Sequence, residues 1–134
     1  MNAFIVELKD QPGEVARVTE AISHKGIDIM GFAGASTGEV GVVVLITNDE
    51  AGTRSALAAI GCTVREAELV TVALENRPGS LAAATRKLAD AGINIQAALP
   101  TGMAGNDVHV AFATSDPARA RQVLGDRVMT AAMG

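Results

Sequence analysis

The sequence predicts an α+β protein made of two copies of one β-α-β-β-α-β unit. The main observation is an internal repeat: Asp10–Ala16 (DQPGEVA) returns as Asn76–Ala82 (NRPGSLA), at an offset of 66 residues. The register holds further, since Gly26–Ile29 (GIDI) returns as Gly92–Ile95 (GINI). A second observation is that, in each copy, segments with helical spacing of apolar residues lie between short β-rich segments.

In the first copy, residues 3–8 form a β-rich run before a polar turn, which predicts a strand. Pro12 suits a first helical position, Val18 and Ile22 continue the helical spacing, and Gly26 is a stop signal. Asp49 is a typical N-cap for a second helix that Gly61 closes. The predicted elements are a strand 3–8, a helix 12–25, a strand from residue 27, a turn 34–41, a strand 42–47, a helix 49–60 and a strand 62–67.

The second copy repeats this order, and Asp116-Pro117 is a strong start signal for its second helix. Helices on one face of an antiparallel sheet in this order form the ferredoxin-like arrangement. Because about two residues near Glu68 separate the copies, we expect the two sheets to pack side by side. The predicted elements are strands 69–74, 93–99, 107–113 and 127–131 and helices 78–91 and 117–124, in domains 1–68 and 69–134.

Composition excludes several classes of function. The net charge is −4 and no basic stripe is present, which argues against nucleic acid as a partner. A single cysteine, Cys62, excludes an internal disulfide and a CxxC metal site. No apolar run is long enough to span a membrane and no signal peptide is visible, so we expect a cytoplasmic protein without a membrane partner. We expect no metal, cofactor or catalytic residue.

The turns carry a specific resemblance. Glu75–Leu81 followed by Ala91–Ile95 resembles the regulatory ACT domain that closes bacterial phosphoglycerate dehydrogenase, and Lys9–Gly13 with Gly26–Ile29 is a variant of the same pattern. The resemblance covers nearly the whole chain as two ACT units. It implies that the units pair side by side and bind a small amino acid at the seam between them.

In the dehydrogenase family, the Asn of the turn and the Asn of the second strand come from opposite units and hold the ligand. Asn76 and Asn94 match these positions, and Asp10 and Asp28 replace them in the first copy. The resemblance therefore implies two mixed sites, Asp10 with Asn94 and Asn76 with Asp28. The family's histidine, two residues before the turn Asn, is Leu74 here, which argues against serine as the ligand.

The residues of the turns also suit an amino-acid ligand on chemical grounds. The first N–H groups of a helix are unpaired and lie at the positive end of its dipole, so they favour a carboxylate. An Asn side chain can both donate and accept, whereas an ionised Asp only accepts and favours an ammonium group. The predicted ligand-binding residues are Asp10, Gln11, Pro12, Gly13 and Asp28 in the first copy and Asn76, Arg77, Pro78, Gly79, Ser80 and Asn94 in the second.

The two sites need not be equal. Glu14 already places a negative charge at the start of the first helix, whereas Ser80 holds the matching position in the second. We therefore expect the site that uses the second turn to bind the carboxylate more tightly.

Other interpretations remain open. Asp10 and Asn76 are also ordinary turn and helix-capping residues, and Asp28 and Asn94 could lie on exposed strand edges. An enzyme of acylphosphatase type would need an arginine in the turn; Arg77 is present, but Gln11 replaces it in the first copy. A third interpretation is an interaction module without ligand. The leading hypothesis is a homo-oligomeric, amino-acid-binding regulatory protein that acts on a partner or on its own assembly.

Overall fold

The computed structural model describes residues 1–130. The chain divides into two compact units, one formed by Asn2–Ala67 and the other by Met1 with the chain from Glu68 onward. Ten strands and helices are described: β1 (Asn2–Lys9), α1 (Glu14–Ser23), β2 (Ile29–Ser36), β3 (Val40–Thr47), α2 (Glu50–Ala59), β4 (Thr63–Glu75), α3 (Ser80–Asp90), β5 (Ile95–Ala104), β6 (Asp107–Thr114) and α4 (Pro117–Leu124). A short 3-10 helix, Gly125–Arg127, follows α4.

In the first unit, β3 is the central partner of an antiparallel sheet and pairs with both β1 and β2. Alternate residues of β1 and β3 point to one face, where Phe4 and Leu45 are opposite each other and fully buried. The apolar stripes of α1 and α2 cover this face with Val18, Ile22 and Leu57, which are also fully buried. The core of this unit therefore lies between its sheet and its two helices.

The second unit repeats the arrangement. Here β6 pairs antiparallel with β4 and β5, with Val70 opposite Phe112. Leu88 of α3 and Leu124 of α4 pack on Val72 and Phe112 in one buried cluster. This confirms the predicted α+β class and the two β-α-β-β-α-β-like repeats. None of the helices in the described residues is both long and apolar enough to cross a membrane.

The second and fourth helices begin as the sequence predicts. The Asp49 carboxylate accepts a 2.9 Å hydrogen bond from the Gly52 N–H at the start of α2. Asp116 accepts the equivalent 3.0 Å bond from the Arg119 N–H, and Pro117 occupies the first turn of α4. These side chains satisfy amides that have no partner within the helix, so both caps are confirmed.

The first and third helices begin later than predicted. The N-cap residues are Gly13 and Gly79, so Pro12 and Pro78 lie before the caps and not at the first helical positions. Both glycines have positive φ, 90° and 89°, a conformation that the side chain of any other residue disfavours. Because the glycine backbone is left-handed, the helix begins only at the next residue. The first and third helices therefore start two residues later than predicted, at Glu14 and Ser80.

Three other boundaries differ from the predictions. The strands predicted at 62–67 and 69–74 are one continuous strand, β4. The turn predicted at 34–41 is shorter, because β2 extends to Ser36 and β3 begins at Val40. The predicted final strand is reduced to a single bridge between Val72 and Val128, and its last residue, Ala131, lies outside the described residues.

The prediction that Asp28 and Asn94 lie within strands is wrong. Strands β2 and β5 begin two residues later than predicted, at Ile29 and Ile95, so Asp28 and Asn94 lie just before them. Both N–H groups bond to side chains of the facing loops and not to a strand ladder. The first pair of each strand is followed by a register shift, between Ile29 and Gly31 in β2 and between Ile95 and Ala97 in β5.

Candidate ligand-binding site

The two Pro-Gly turns have nearly the same backbone geometry. Gly13 has φ 90° and ψ −11°, and Gly79 has φ 89° and ψ −11°. In the first turn, the Gln11 N–H donates to the Lys9 carbonyl at 3.0 Å; in the second, the Arg77 N–H donates to the Glu75 carbonyl at 2.9 Å. The repeat in sequence is therefore a repeat of one local structure.

Neither turn places a side-chain cap on its helix. In both α1 and α3 the N-cap residue is glycine, and no side chain of the described residues bonds to the first amides. Asp10 and Asn76 are turn residues, as one interpretation held, but neither caps its helix. The amide N–H groups of the first turn thus remain at the positive end of each helix dipole without a partner side chain.

Asp28 and Asn94 also occupy equivalent loops. The Asp28 N–H donates to Asn48 Oδ1 at 3.0 Å, and the Asn48 N–H returns a 3.2 Å bond to the Asp28 carbonyl. In the second unit, the Asn94 N–H donates to Ser115 Oγ at 3.0 Å, and Ser115 returns a 2.9 Å bond. Reciprocal bonds thus hold the backbone of both loops at the point from which the two side chains project.

The predicted site residues are almost all accessible. Ser80 is half-buried, and the other ten are exposed: Asp10, Gln11, Pro12, Gly13, Asp28, Asn76, Arg77, Pro78, Gly79 and Asn94. Their polar atoms are therefore available to a ligand.

Within the second unit, the structure brings only some of these residues together. Arg77 and Ser80 line one cleft, which also contacts β4, α3 and Arg127. Asn94 lines a different, open depression along the flank of α3, beside Ala82 and Arg86. In the first unit, Gly13 lines a shallow depression on α1. Asn76 and Asn94 thus do not share a pocket within their own unit.

Charged side chains surround the second turn. Glu75 accepts from Arg77 Nε at 2.7 Å through Oε2 and from Arg127 Nη2 at 3.1 Å through Oε1. The hydrogen bond from Arg77, supported by its charge and by that of Arg127, lowers the pKa of Glu75. The Arg77 guanidinium thus donates through Nε to a carboxylate on the exposed surface of the second turn.

Arg127 and Lys87, which line this cleft, were not identified from the sequence. Arg127 follows α4 and lies 52 residues from Glu75 in the chain, so no spacing rule connects them. Lys87 lies on the same side of α3 as Ser80 and Ala84, a relationship that appears once the helix and its start are defined. A helical projection from Ser80 could have indicated Lys87. The described residues contain no group of three or more His, Cys, Asp or Glu residues that could hold a metal ion.

The family to which the chain belongs follows from its sequence and from this repeated geometry. The family described as the ACT domain pair matches residues 3–130. The chain belongs to the ACT domain pair family. ACT domains are regulatory modules, and the recognition of two tandem ACT units from the turn residues is confirmed.

Solved structures share the fold of this ACT pair. A protein from Bacteroides thetaiotaomicron is 22% identical, with a TM-score of 0.76 over 92% of this chain and 85% of that one. The regulatory subunit of aspartate kinase from Thermus thermophilus is 19% identical, with a TM-score of 0.65 over 92% and 87%. The Thermus flavus regulatory subunit is 20% identical, with a TM-score of 0.63 over 92% and 86%. No curated protein sequence matches the chain.

Proposed function

We propose that this ACT pair is a regulatory protein that binds a small amino acid and transmits the binding to a partner enzyme or to its own assembly. The observation that carries the proposal is the pair of Pro-Gly turns with matching backbone angles, each before a helix that lacks a side-chain cap. Helix amides that no side chain caps suit an α-carboxylate. The fold is shared with regulatory subunits of aspartate kinase, which supports an enzyme of amino-acid metabolism as the partner.

The proposed binding sites lie at the seam between the units, as the resemblance to phosphoglycerate dehydrogenase implies. One site combines Asp10 with Asn94, and the other combines Asn76 with Asp28. In each site the acid accepts from the ligand's ammonium, and the amide donates to its carboxylate. The hydrogen-bonded backbones at Asp28 and Asn94 support this arrangement, because a loop that is already ordered loses less conformational entropy when ligand binds.

A ligand at such a seam would regulate by preferring one arrangement of the units. It can change the equilibrium between two assembly states only by the difference between its binding free energies for those states. Exposed apolar side chains on the first unit, Met30 and Phe32 of β2 among them, support homo-oligomer formation.

A thermal-shift screen against the twenty amino acids is the first test. A ligand that binds only the folded protein raises its stability by about 2.7 kcal/mol at a hundredfold excess over Kd. No shift with any amino acid, and none by calorimetry, would contradict the proposal.

Paired substitutions then test the assignment of residues to sites. Asp10→Ala with Asn94→Ala removes two members of one site, so calorimetry should still show the other. Asp10→Ala with Asn76→Ala removes one member of each site, so both should be lost. The control is Gln122→Ala with Asp126→Ala, which changes an exposed amide and an exposed acid away from the predicted site residues. Equal binding by the two test variants would show that the pairing is wrong.

A further inference from the structure

The cleft beside the second turn differs from its counterpart in the first unit. It has a volume of about 190 Å³ and an apolar floor formed by Val72, Leu74, Ala84 and Leu124. These four side chains are at least nine-tenths buried. The volume lies below the roughly 300 Å³ at which drug-sized pockets begin, so only a small ligand fits.

The charged residues around this cleft are mostly cationic. Arg77, Lys87 and Arg127 line it with a single acid, Glu75, although the whole chain has a net charge of −4. Both carboxylate oxygens of Glu75 are already bonded to arginines. Among the described residues, no carboxylate pairs with Lys87. The cleft therefore offers a free ammonium group above an apolar floor, with the Ser80 hydroxyl also on its lining.

The first unit lacks this arrangement of cations, although its sequence follows the same repeat. At an offset of 66, Gln11 corresponds to Arg77 and Ala21 to Lys87, so both cations are absent. The matching depression is lined instead by three glutamates with Lys9 and Arg17: Glu7, Glu14 and Glu39.

One substitution between the repeats also changes the shape of the cleft. Arg17 corresponds to Ala83 and crosses the first depression, where it bonds to Glu14 at 3.1 Å and to the Ile60 carbonyl at 2.9 Å. Ala83 leaves the same space open in the second unit.

We propose that the cleft of the second unit binds a small aliphatic carboxylate, at one site per chain and separate from the seam sites. The hydrocarbon part lies on Leu74 and Leu124, and the carboxylate faces Lys87 and the Ser80 hydroxyl. A charged bond of this kind in a partly desolvated cleft contributes more than a neutral one. An α-ammonium group is disfavoured, because three cations line the cleft and each oxygen of the single acid, Glu75, already accepts a bond from an arginine. The preferred ligand is thus a simple acid and not an amino acid.

The test uses the whole chain and 4-methylpentanoate as the probe, with binding followed by calorimetry and by the methyl NMR signals of Leu74 and Leu124. We expect 4-methylpentan-1-ol, which lacks the charge, and leucine, which adds an ammonium group, to bind at least about tenfold more weakly at this cleft. Equal or tighter binding of either compound would overturn the proposal.

Two variants locate the site. Ala83→Leu fills the space of the cleft with an uncharged side chain and should abolish binding, and Ala83 is exposed enough for the fold to accept the change. Lys87→Gln should weaken binding about tenfold. The matched controls, Arg17→Ala and Lys25→Gln, should leave it unchanged. Unchanged binding in both Ala83→Leu and Lys87→Gln, with normal circular dichroism spectra, would place the probe elsewhere and refute the site.

Two single substitutions distinguish this proposal from the proposed function. Asn94→Ala should reduce amino-acid binding and leave 4-methylpentanoate binding intact, whereas Lys87→Gln, which changes a residue of the cleft only, should do the reverse. Loss of both ligands in Asn94→Ala would mean that the cleft is not an independent site.

Discussion

Thr47 and Thr53 share a buried hydrogen bond of 2.7 Å between their Oγ1 atoms in the first unit. Thr53 also donates to the Asp49 carbonyl at 2.8 Å, which joins the pair to the start of α2. At an offset of 67, the matching residues of the second unit are Thr114 and Ala120. Because alanine has no hydroxyl, Thr114 Oγ1 is buried without a hydrogen-bond partner among the described residues.

We expect Thr114→Val to raise the free energy of unfolding by about 1 kcal/mol, because a buried unpaired hydroxyl is replaced by a methyl group of similar size. Thr47→Val should lower it by about 1 kcal/mol, since a made hydrogen bond is lost. Urea denaturation of both variants measures the difference. The interpretation is wrong if Thr114→Val destabilises the protein as much as Thr47→Val.

The positive φ of Gly13 and Gly79 leads to a second prediction. Gly79→Ala should destabilise by at least about 1 kcal/mol, because an L side chain disfavours this conformation even where space is open. The control is Gly102→Ala in β5, where φ is not positive and the nearest atom to an added Cβ is His109 Nδ1 at 3.9 Å. Denaturant unfolding should show a much smaller change for the control, and equal losses would contradict the argument.

Helix capping gives a third prediction, which separates turn residues from caps. Asp49→Ala and Asp116→Ala should each destabilise by about 1 kcal/mol, because each removes a side-chain acceptor from a helix amide. Asp10→Ala and Asn76→Ala should have little effect on stability, because neither caps a helix. Thermal unfolding without ligand distinguishes the two groups. A comparable loss in Asp10→Ala would show that its carboxylate stabilises the fold.

The ion pair between Arg54 and Glu66 predicts a dependence of stability on pH. Arg54 donates to both Glu66 oxygens, at 2.6 and 2.7 Å. This hydrogen bonding, more than the charge alone, lowers the pKa of Glu66 below its ordinary value of 4.5. Because the folded-state pKa is the lower one, the stabilisation is present above the unfolded-state pKa and is lost as the pH falls through the folded-state value.

Glu66→Gln should therefore reduce the loss of stability between about pH 5 and pH 2, and added salt should diminish the difference from the unsubstituted protein. Denaturant unfolding across this range measures both effects. Glu20→Gln is the control, since Glu20 is exposed and makes no ion pair among the described residues. A Glu66→Gln variant with an unchanged pH profile would contradict the assignment.

The sequence predicted most elements because their signals are local. Asp49 and Asp116 could be recognised as caps, since the amides that they bind lie three residues away in the chain. The turn glycines were recognised for the same reason. The length of β4 was missed because no local signal near Glu68 stops a strand. Asp28 was placed inside a strand because the acceptor of its N–H, Asn48 Oδ1, lies twenty residues away in the chain.

By itself, the sequence determined the duplication, the fold class and the family, because each can be recognised from the order of residues along the chain without knowing which residues meet in space. Only the tertiary structure decided which charges meet. Glu75, Lys87 and Arg127 come from a strand, a helix and a segment after the last helix, and packing of those elements brings them to one cleft. The same packing gives the first unit a different cleft, because Arg17 occupies the space that Ala83 leaves open.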